Sequence, residues 1–265
     1  MTQILFPTKT EKPLVFYLAA EEYLARMLEE GEYVFFWSVA PTVIFGRNQI
    51  MSAEVNLEWC RENGVETVRR RSGGGCVYAD RGNLMISCIF PGMDVEYAFG
   101  RYLQTMSRVL CKTGLDASVS GRNDIVAGGR KISGNACHTA FGRSIVHGTL
   151  MYDVDIDAMS KAITPSVQKL HRKGVASVRQ RVGNVRPMLD KVAPGLFPDI
   201  RSLASWLAVA LCDGNASLQS WMSGPAEETA MMLTEEDESR ISELSGKYLD
   251  RSFLLGKEEQ EMNLL

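Results

Sequence analysis

RRRSGGGCVYADRGNLMISCIF, residues 69–90, is the stretch from which the fold can be read. Arg69, Arg70 and Arg71 run into Ser72 and the triple glycine Gly73-Gly74-Gly75. Val77-Tyr78 follow, then a second turn at Arg81-Gly82-Asn83 and the apolar, alternating run Leu84–Phe90. A strand, not a helix, leaves the glycine turn. Consecutive glycines let the backbone take positive φ and let a ligand approach main-chain N–H groups with no Cβ in the way. Such N–H groups beside guanidinium groups suit a phosphate or a carboxylate. A solvated hairpin loop is the plainer reading of a bare triple glycine, and three adjacent arginines weigh against it. The spacing fits neither the nucleotide loop that needs Lys-Ser/Thr after its last glycine nor a dinucleotide fingerprint opening a helix.

Upstream, Leu14–Glu30 places apolar residues at helical spacing with Glu21 and Glu22 toward one side, and Gly31 is a natural stop. Tyr33–Val39 and Pro41–Phe45 read as short strands, the second running into the polar turn Gly46-Arg47-Asn48-Gln49. A helix over Val55–Asn63 and a strand over Glu66–Arg70 lead into the glycine turn. Downstream, a helix over Glu96–Thr113 and a strand over Leu115–Val119 are expected. A strand over Ser144–Tyr152 and a helix over Asp155–Ile163, ended by Thr164-Pro165, come later. Ala176–Val185 carries Arg179, Arg181 and Asn184. From Phe197 the chain reads as helical, over Ile200–Leu211, Glu227–Leu233 and the acidic Glu235–Leu244. Strands that separate into hairpins between helices imply an α+β fold with mixed or antiparallel sheets, not a doubly wound parallel one.

A second stretch, GRNDIVAGGRKISGNA at 121–136, reads as two strands around Ala127-Gly128-Gly129. It leaves Lys131 between two glycine-bearing turns. A lysine there is either a solvated edge charge or a point charge that bridges a phosphate oxygen and a developing oxyanion. His147 is either a general base or a core histidine bonded to backbone.

The bulk numbers exclude several classes. The 265 residues carry a net charge of −3, which leaves no electrostatic footprint for nucleic acid. No apolar run approaches the roughly 18 residues of a membrane span, and the N-terminus lacks a secretory pattern. Cys60, Cys76, Cys88, Cys111, Cys137 and Cys212 are scattered without a CxxC pair. That implies reduced thiols and a cytoplasmic location, not a disulfide framework or a zinc site.

RRxSGGGxVYxDxGN at Arg69–Asn83, GRNDI at Gly121–Ile125, GRKISGNA at Gly129–Ala136, HGTL at His147–Leu150 and SVRxRVxN at Ser177–Asn184 resemble, in order, the lipoate–protein ligase family. VIFGRNQ at Val43–Gln49 and the helix Leu18–Leu24 are similar to its earlier elements. The resemblance covers roughly residues 14–190 and implies an α+β fold shared with the catalytic domain of biotin protein ligases. Residues 1–192 would form the catalytic core and 193–265 a helical part of the same large domain.

The activity implied has two half-reactions. Lipoate and ATP with Mg²⁺ give lipoyl-adenylate and pyrophosphate, and a lysine of an acceptor domain then displaces AMP. The acceptors would be lipoyl domains of 2-oxoacid dehydrogenase complexes and the glycine-cleavage H protein. By the same resemblance Arg70, Gly75, Cys76, Val77, Tyr78, Asn123, Asp124 and Lys131 would hold the nucleotide. Arg70, Ser72, Gly73, Gly74, Gly75, Lys131, Gly134, His147 and Gly148 would hold lipoate. Lys131 would be the catalytic cation and Asp124 a magnesium ligand.

The chain departs from the family pattern at Ala79, where a histidine is usual, and at Cys76, where alanine is usual. Full-length members continue into a small accessory domain, which in some is supplied by a separate polypeptide; here that domain is expected to be absent. A competing reading is an ATP-independent octanoyl or lipoyl transferase that carries the acyl chain as a thioester on Cys137. The plainer reading of Cys137 is a small core residue. A non-catalytic lipoyl or adenylate carrier is disfavoured by the presence of both Lys131 and Arg70.

Overall fold

The structure is a computed structural model that describes residues 1–28, 30–163, 181–213, 217–218 and 230–262. Thr164-Pro165, His171, Arg179 and the first half of SVRxRVxN lie outside the described residues.

Among the described residues the larger sheet has eight strands. Their order is β11 (Ala230–Met232), β1 (Thr2–Leu5), β2 (Tyr33–Trp37), β6 (Asn83–Phe90), β10 (Arg143–Met151), β9 (Arg130–Ala140), β8 (Asp124–Ala127) and β7 (Ala117–Ser120). The β11–β1–β2 pairs are parallel and the rest antiparallel, so the sheet is mixed. A second sheet has β3 (Thr42–Phe45) between β4 (Glu66–Arg69) and β5 (Val77–Ala79). The fold is α+β.

Strand alternation assigns the two faces of the larger sheet. Leu84, Ile86, Cys88 and Phe90 of β6 face α4 (Val95–Lys112) and α7 (Ile200–Cys212), packing with Tyr102, Leu103 and Trp206. Met85 and Ile89 face the opposite way, onto α1 (Leu14–Met27), with Phe16, Leu24 and Ile241 and Tyr248 of α8 (Glu235–Leu249). A helix that is apolar on every side must be covered on every side. Accordingly, every residue of α1 from Leu14 to Ala25 is buried, between the sheet and α8. The smaller sheet has its own core, where Val43, Phe45 and Tyr78 meet Met51 of α2 (Met51–Glu54), Cys60 of α3 (Leu57–Glu62) and Met159 of α5 (Ile156–Ala162). Two further helices are α6 (Arg186–Val192) and α9 (Arg251–Met262), the latter interrupted at Gly256.

Two expected helices differ. Val55–Asn63 starts as an isolated bridge at Val55, and Asn56 then caps α3 by accepting from Trp59 N at 3.2 Å. Within Glu227–Leu233, the described residues Ala230–Met232 form β11 instead. They pair in parallel with β1, and Leu233 N donates to Leu5 O at 2.9 Å. The open edge of β1 supplies the ladder that overrides the helical pattern, and the four residues of β1 are too few to show a period.

Candidate active site

An open cleft lies between the two sheets. Leu18, Trp37, Ile44, Val77 and Met85 line it with apolar surface. Arg70, Asn123, Lys131, Asn135, His147 and Thr149, with the glycine-rich turn, supply the polar groups.

The glycine turn is shaped from within by Arg70. This buried guanidinium donates from Nη2 to Gly73 O at 2.7 Å and Gly75 O at 2.8 Å, from Nη1 to Ile44 O at 3.1 Å, and from Nε to Ser72 Oγ at 3.0 Å. Burial pushes its pKa down to about 10, so it stays charged at neutral pH. The turn is also pinned to the end of β3, where Arg47 N donates to Ser72 O at 3.0 Å. A Cβ at Gly46 would overlap Gly74 O, so the two loops meet only because residue 46 is glycine.

The three arginines do not act together. Arg69 turns away and donates to the carbonyls of Arg47, Gln49, Leu254 and Leu255, each at 2.8 Å. Arg71 pairs with Glu22 at 3.5 Å. Only Arg70 lies on the cleft, and its donors are largely spent on the loop.

Lys131, on β9, reaches the cleft with its Nζ 2.7 Å from Asp124 Oδ1. Gly134 sits beneath it, and a Cβ there would lie 2.9 Å from Nζ. Asn123 is fixed by exchange with Asn135: each Nδ2 donates to the other residue's backbone carbonyl at 3.0 Å. On β10, Gly148 leaves room for Asn135 Oδ1 and Tyr102 Oη, which a Cβ would overlap.

His147 is bonded to side chains, not to a backbone carbonyl. Its Nδ1 lies 3.0 Å from both oxygens of Glu21, and its Nε2 2.6 Å from Ser72 Oγ. Burial raises the pKa of Glu21, but the charge and hydrogen bond of His147 outweigh it and leave the carboxyl below its ordinary value. His138 lies nearby, ring centroids 5.8 Å apart, and burial and His147 push it down to about 4.

Of the residues expected in the site, Arg70, Gly74, Gly75, Cys76, Val77, Asn123, Lys131, Gly134, His147 and Gly148 line the cleft. Ser72, Gly73 and Asp124 do not line the cleft themselves: the first two bond Arg70, and Asp124 pairs with Lys131. The Tyr78 side chain points into the smaller sheet's core, because adjacent strand residues face opposite ways and Val77 takes the cleft side. Leu18, Trp37, Ile44, Met85, Asn135, Ala136 and Thr149 also line the cleft. The apolar ones carry no sequence signal that separates them from core.

Cys137 is on the wrong face. It packs against the α4–α7 core, whereas its neighbour Ala136 lines the cleft. Burial raises its pKa, which disfavours the thiolate that a thioester route needs. None of the six cysteines is in a disulfide, and among the described residues no cluster of three metal-ligating side chains occurs. Among them, too, no helix is long and apolar enough to cross a membrane.

Comparison with known proteins agrees with this geometry. Lipoate-protein ligase LplJ of Bacillus subtilis (strain 168) is 43% identical over 175 residues, 65% of this chain and 53% of that protein. The chain thus spans about half the length of the curated relatives it matches. A solved lipoate-protein ligase A bound with ATP has a TM-score of 0.75 at 26% identity, covering 96% of this chain and 98% of that one. A chain from an archaeal lipoylation system, described as a bi-partite lipoate protein ligase and its E2 lipoyl domain from Thermoplasma acidophilum, has a TM-score of 0.73 at 26% identity over 96% of each chain. The description "Lipoyl protein ligase A/B catalytic domain" matches residues 13–197. With the cleft, the glycine turn and Lys131 in place, the chain belongs to the lipoyl protein ligase A/B catalytic domain family.

Proposed function

We propose that the protein is an ATP-dependent lipoate–protein ligase. The observation that carries the reading is one cleft with an apolar wall, a glycine turn and Lys131 Nζ together. A carboxylate must meet the α-phosphate of ATP although both are anions, so fixed cations and N–H donors are needed where they meet. The apolar wall of Leu18, Trp37, Ile44 and Met85 suits the acyl chain and aims its carboxylate at Lys131.

In the first half-reaction a lipoate carboxylate oxygen bonds to the α-phosphorus and pyrophosphate leaves. In the second, the amine of an acceptor lysine attacks the acyl carbonyl, loses a proton, and AMP leaves. Lys131 would neutralise charge on the carbonyl and phosphate oxygens in both steps. Mg²⁺ would arrive with ATP as part of the substrate, since it is held mainly by phosphates and one or two carboxylates. Asp124 would be the carboxylate for it, and a shift of Asp124 to the metal would free Lys131 for the anions.

Residues 1–192 would form the catalytic core and 193–265 part of the same domain, as the packing of α7 and α8 on opposite faces of one sheet supports. Lipoyl domains and the glycine-cleavage H protein are the acceptors proposed. A second polypeptide completing adenylation fits the likeness to the bi-partite archaeal ligase. A cytoplasmic location fits six cysteines with no disulfide among them. The test is pyrophosphate release on mixing the chain with lipoate and Mg·ATP. Release that requires lipoate and fails in Lys131→Ala supports the reading. Release that ignores lipoate overturns it.

A further inference from the structure

Glu21 does not line the cleft, yet two hydrogen-bonded chains that begin at cleft residues end on its carboxylate. A carboxylate can only accept, so each chain ends with a donor aimed at it. In the first, Arg70 Nε donates to Ser72 Oγ at 3.0 Å. The His147 Nδ1–H is committed to Glu21, and the ring's other nitrogen, Nε2, lies at hydrogen-bonding distance, 2.6 Å, from Ser72 Oγ. In the second, Trp37 Nε1 donates to Ser87 Oγ at 3.0 Å, and the Ser87 hydroxyl donates to Glu21 Oε1 at 2.6 Å. Both chains close on the carboxylate with no donor facing a donor. Arg70, Ser72, Ser87, Glu21 and His147 are all buried, so a partner lost here is not replaced by water.

We propose that Glu21 and His147 are positioning residues of the adenylation site: through Ser72 they hold Arg70, and through Arg70 the Gly73–Gly75 turn, in the conformation that meets the acyl carboxylate and the α-phosphate. The same carboxylate fixes the Trp37 ring in the apolar wall, so one buried group on α1 sets both ends of the cleft. The proposal rests on the ligase reading.

The network is tested with Glu21→Gln, Ser72→Ala and the double variant. Glutamine keeps the shape but offers one acceptor oxygen where two donors converge. Each single change is expected to lower kcat for lipoate-dependent pyrophosphate release about tenfold to a hundredfold. Groups acting as one unit give non-additive losses, so the double variant should lose no more than the worse single. A readout independent of substrate is the His147 ring by nitrogen-labelled NMR. The wild type should show an anchored proton on Nδ1, Glu21→Gln should lose that signal, and Ser72→Ala should shift Nε2.

Multiplying losses, or a His147 spectrum indifferent to Ser72→Ala, would overturn the positioning role alone. A wild-type chain that neither releases pyrophosphate nor transfers from lipoyl-adenylate would overturn the role together with the ligase reading.

Discussion

Lys131 is held 2.7 Å from Asp124 and faces a cleft whose other cation is mostly spent on its own loop. Removing it takes away the one ammonium among the cleft-lining residues, so Lys131→Ala should slow adenylate formation about a hundred- to a thousandfold, the usual cost of losing an oxyanion donor. Single-turnover pyrophosphate release measures this; a loss under threefold would contradict it. Gly148→Ala should act through packing, since its Cβ would overlap Asn135 Oδ1 and Tyr102 Oη. A cost of about 1–3 kcal/mol is expected in urea unfolding, with a lower midpoint and an unchanged slope. At this scale the polar half of the site was legible, because Gly75, Asn123, Lys131 and His147 lie in motifs with a chemical reason for their spacing. Trp37, Ile44 and Met85 were not legible: an apolar cleft wall obeys the same pattern as an apolar core. Nor was the division of labour among the three arginines, which depends on where carbonyls from other loops come to lie.

α1 carries two consecutive buried carboxylates that serve different neighbours. Glu21 faces the sheet, and Glu22 joins α1 to α8 through Lys247 at 2.5 Å, with Arg26 at 3.1 Å and Arg71 at 3.5 Å around it. Burial raises the Glu22 pKa, but these three cations outweigh it and leave the group below its ordinary value. A folded-state pKa depressed below the unfolded value, about 4.3, contributes stability that is complete above that pH. The contribution is lost as pH falls through the folded pKa. Thermal melts of wild type and Glu22→Gln should therefore differ at pH 7 and converge as the pH falls from the unfolded value through the folded pKa. A gap that widens in acid would contradict the assignment. Most elements were legible from their periods, α1, α4 and β6 above all. The helix expected over Val55–Asn63 is present but begins at Leu57, after the Asn56 cap, whereas Ala230–Met232 is a strand set by a long-range parallel pairing. The pairing leaves no mark in the local pattern, while the cap does, since asparagine is a preferred residue at a helix start.

The molecule as a whole is a large mixed sheet and a small sheet that meet at the cleft, and the loops between them must keep register. Arg69 ties that junction together, joining the Gly46–Gln49 turn to Leu254 and Leu255 of α9 while stacking on Phe45 at 4.7 Å. Lysine lacks the planar fork, so Arg69→Lys should cost about 2 kcal/mol in stability and loosen proteolytic protection of α9. Unchanged stability would contradict this structural role. The central claim concerns the chemistry of the cleft, and transfer from preformed lipoyl-adenylate to a lipoyl acceptor domain tests it most directly. Mass spectrometry of the acceptor should show lipoylation by wild type and by Cys137→Ser at comparable rates, and by Lys131→Ala at least about a hundredfold more slowly. Transfer that survives in Lys131→Ala but disappears in Cys137→Ser would contradict the account and place the reaction on the thiol.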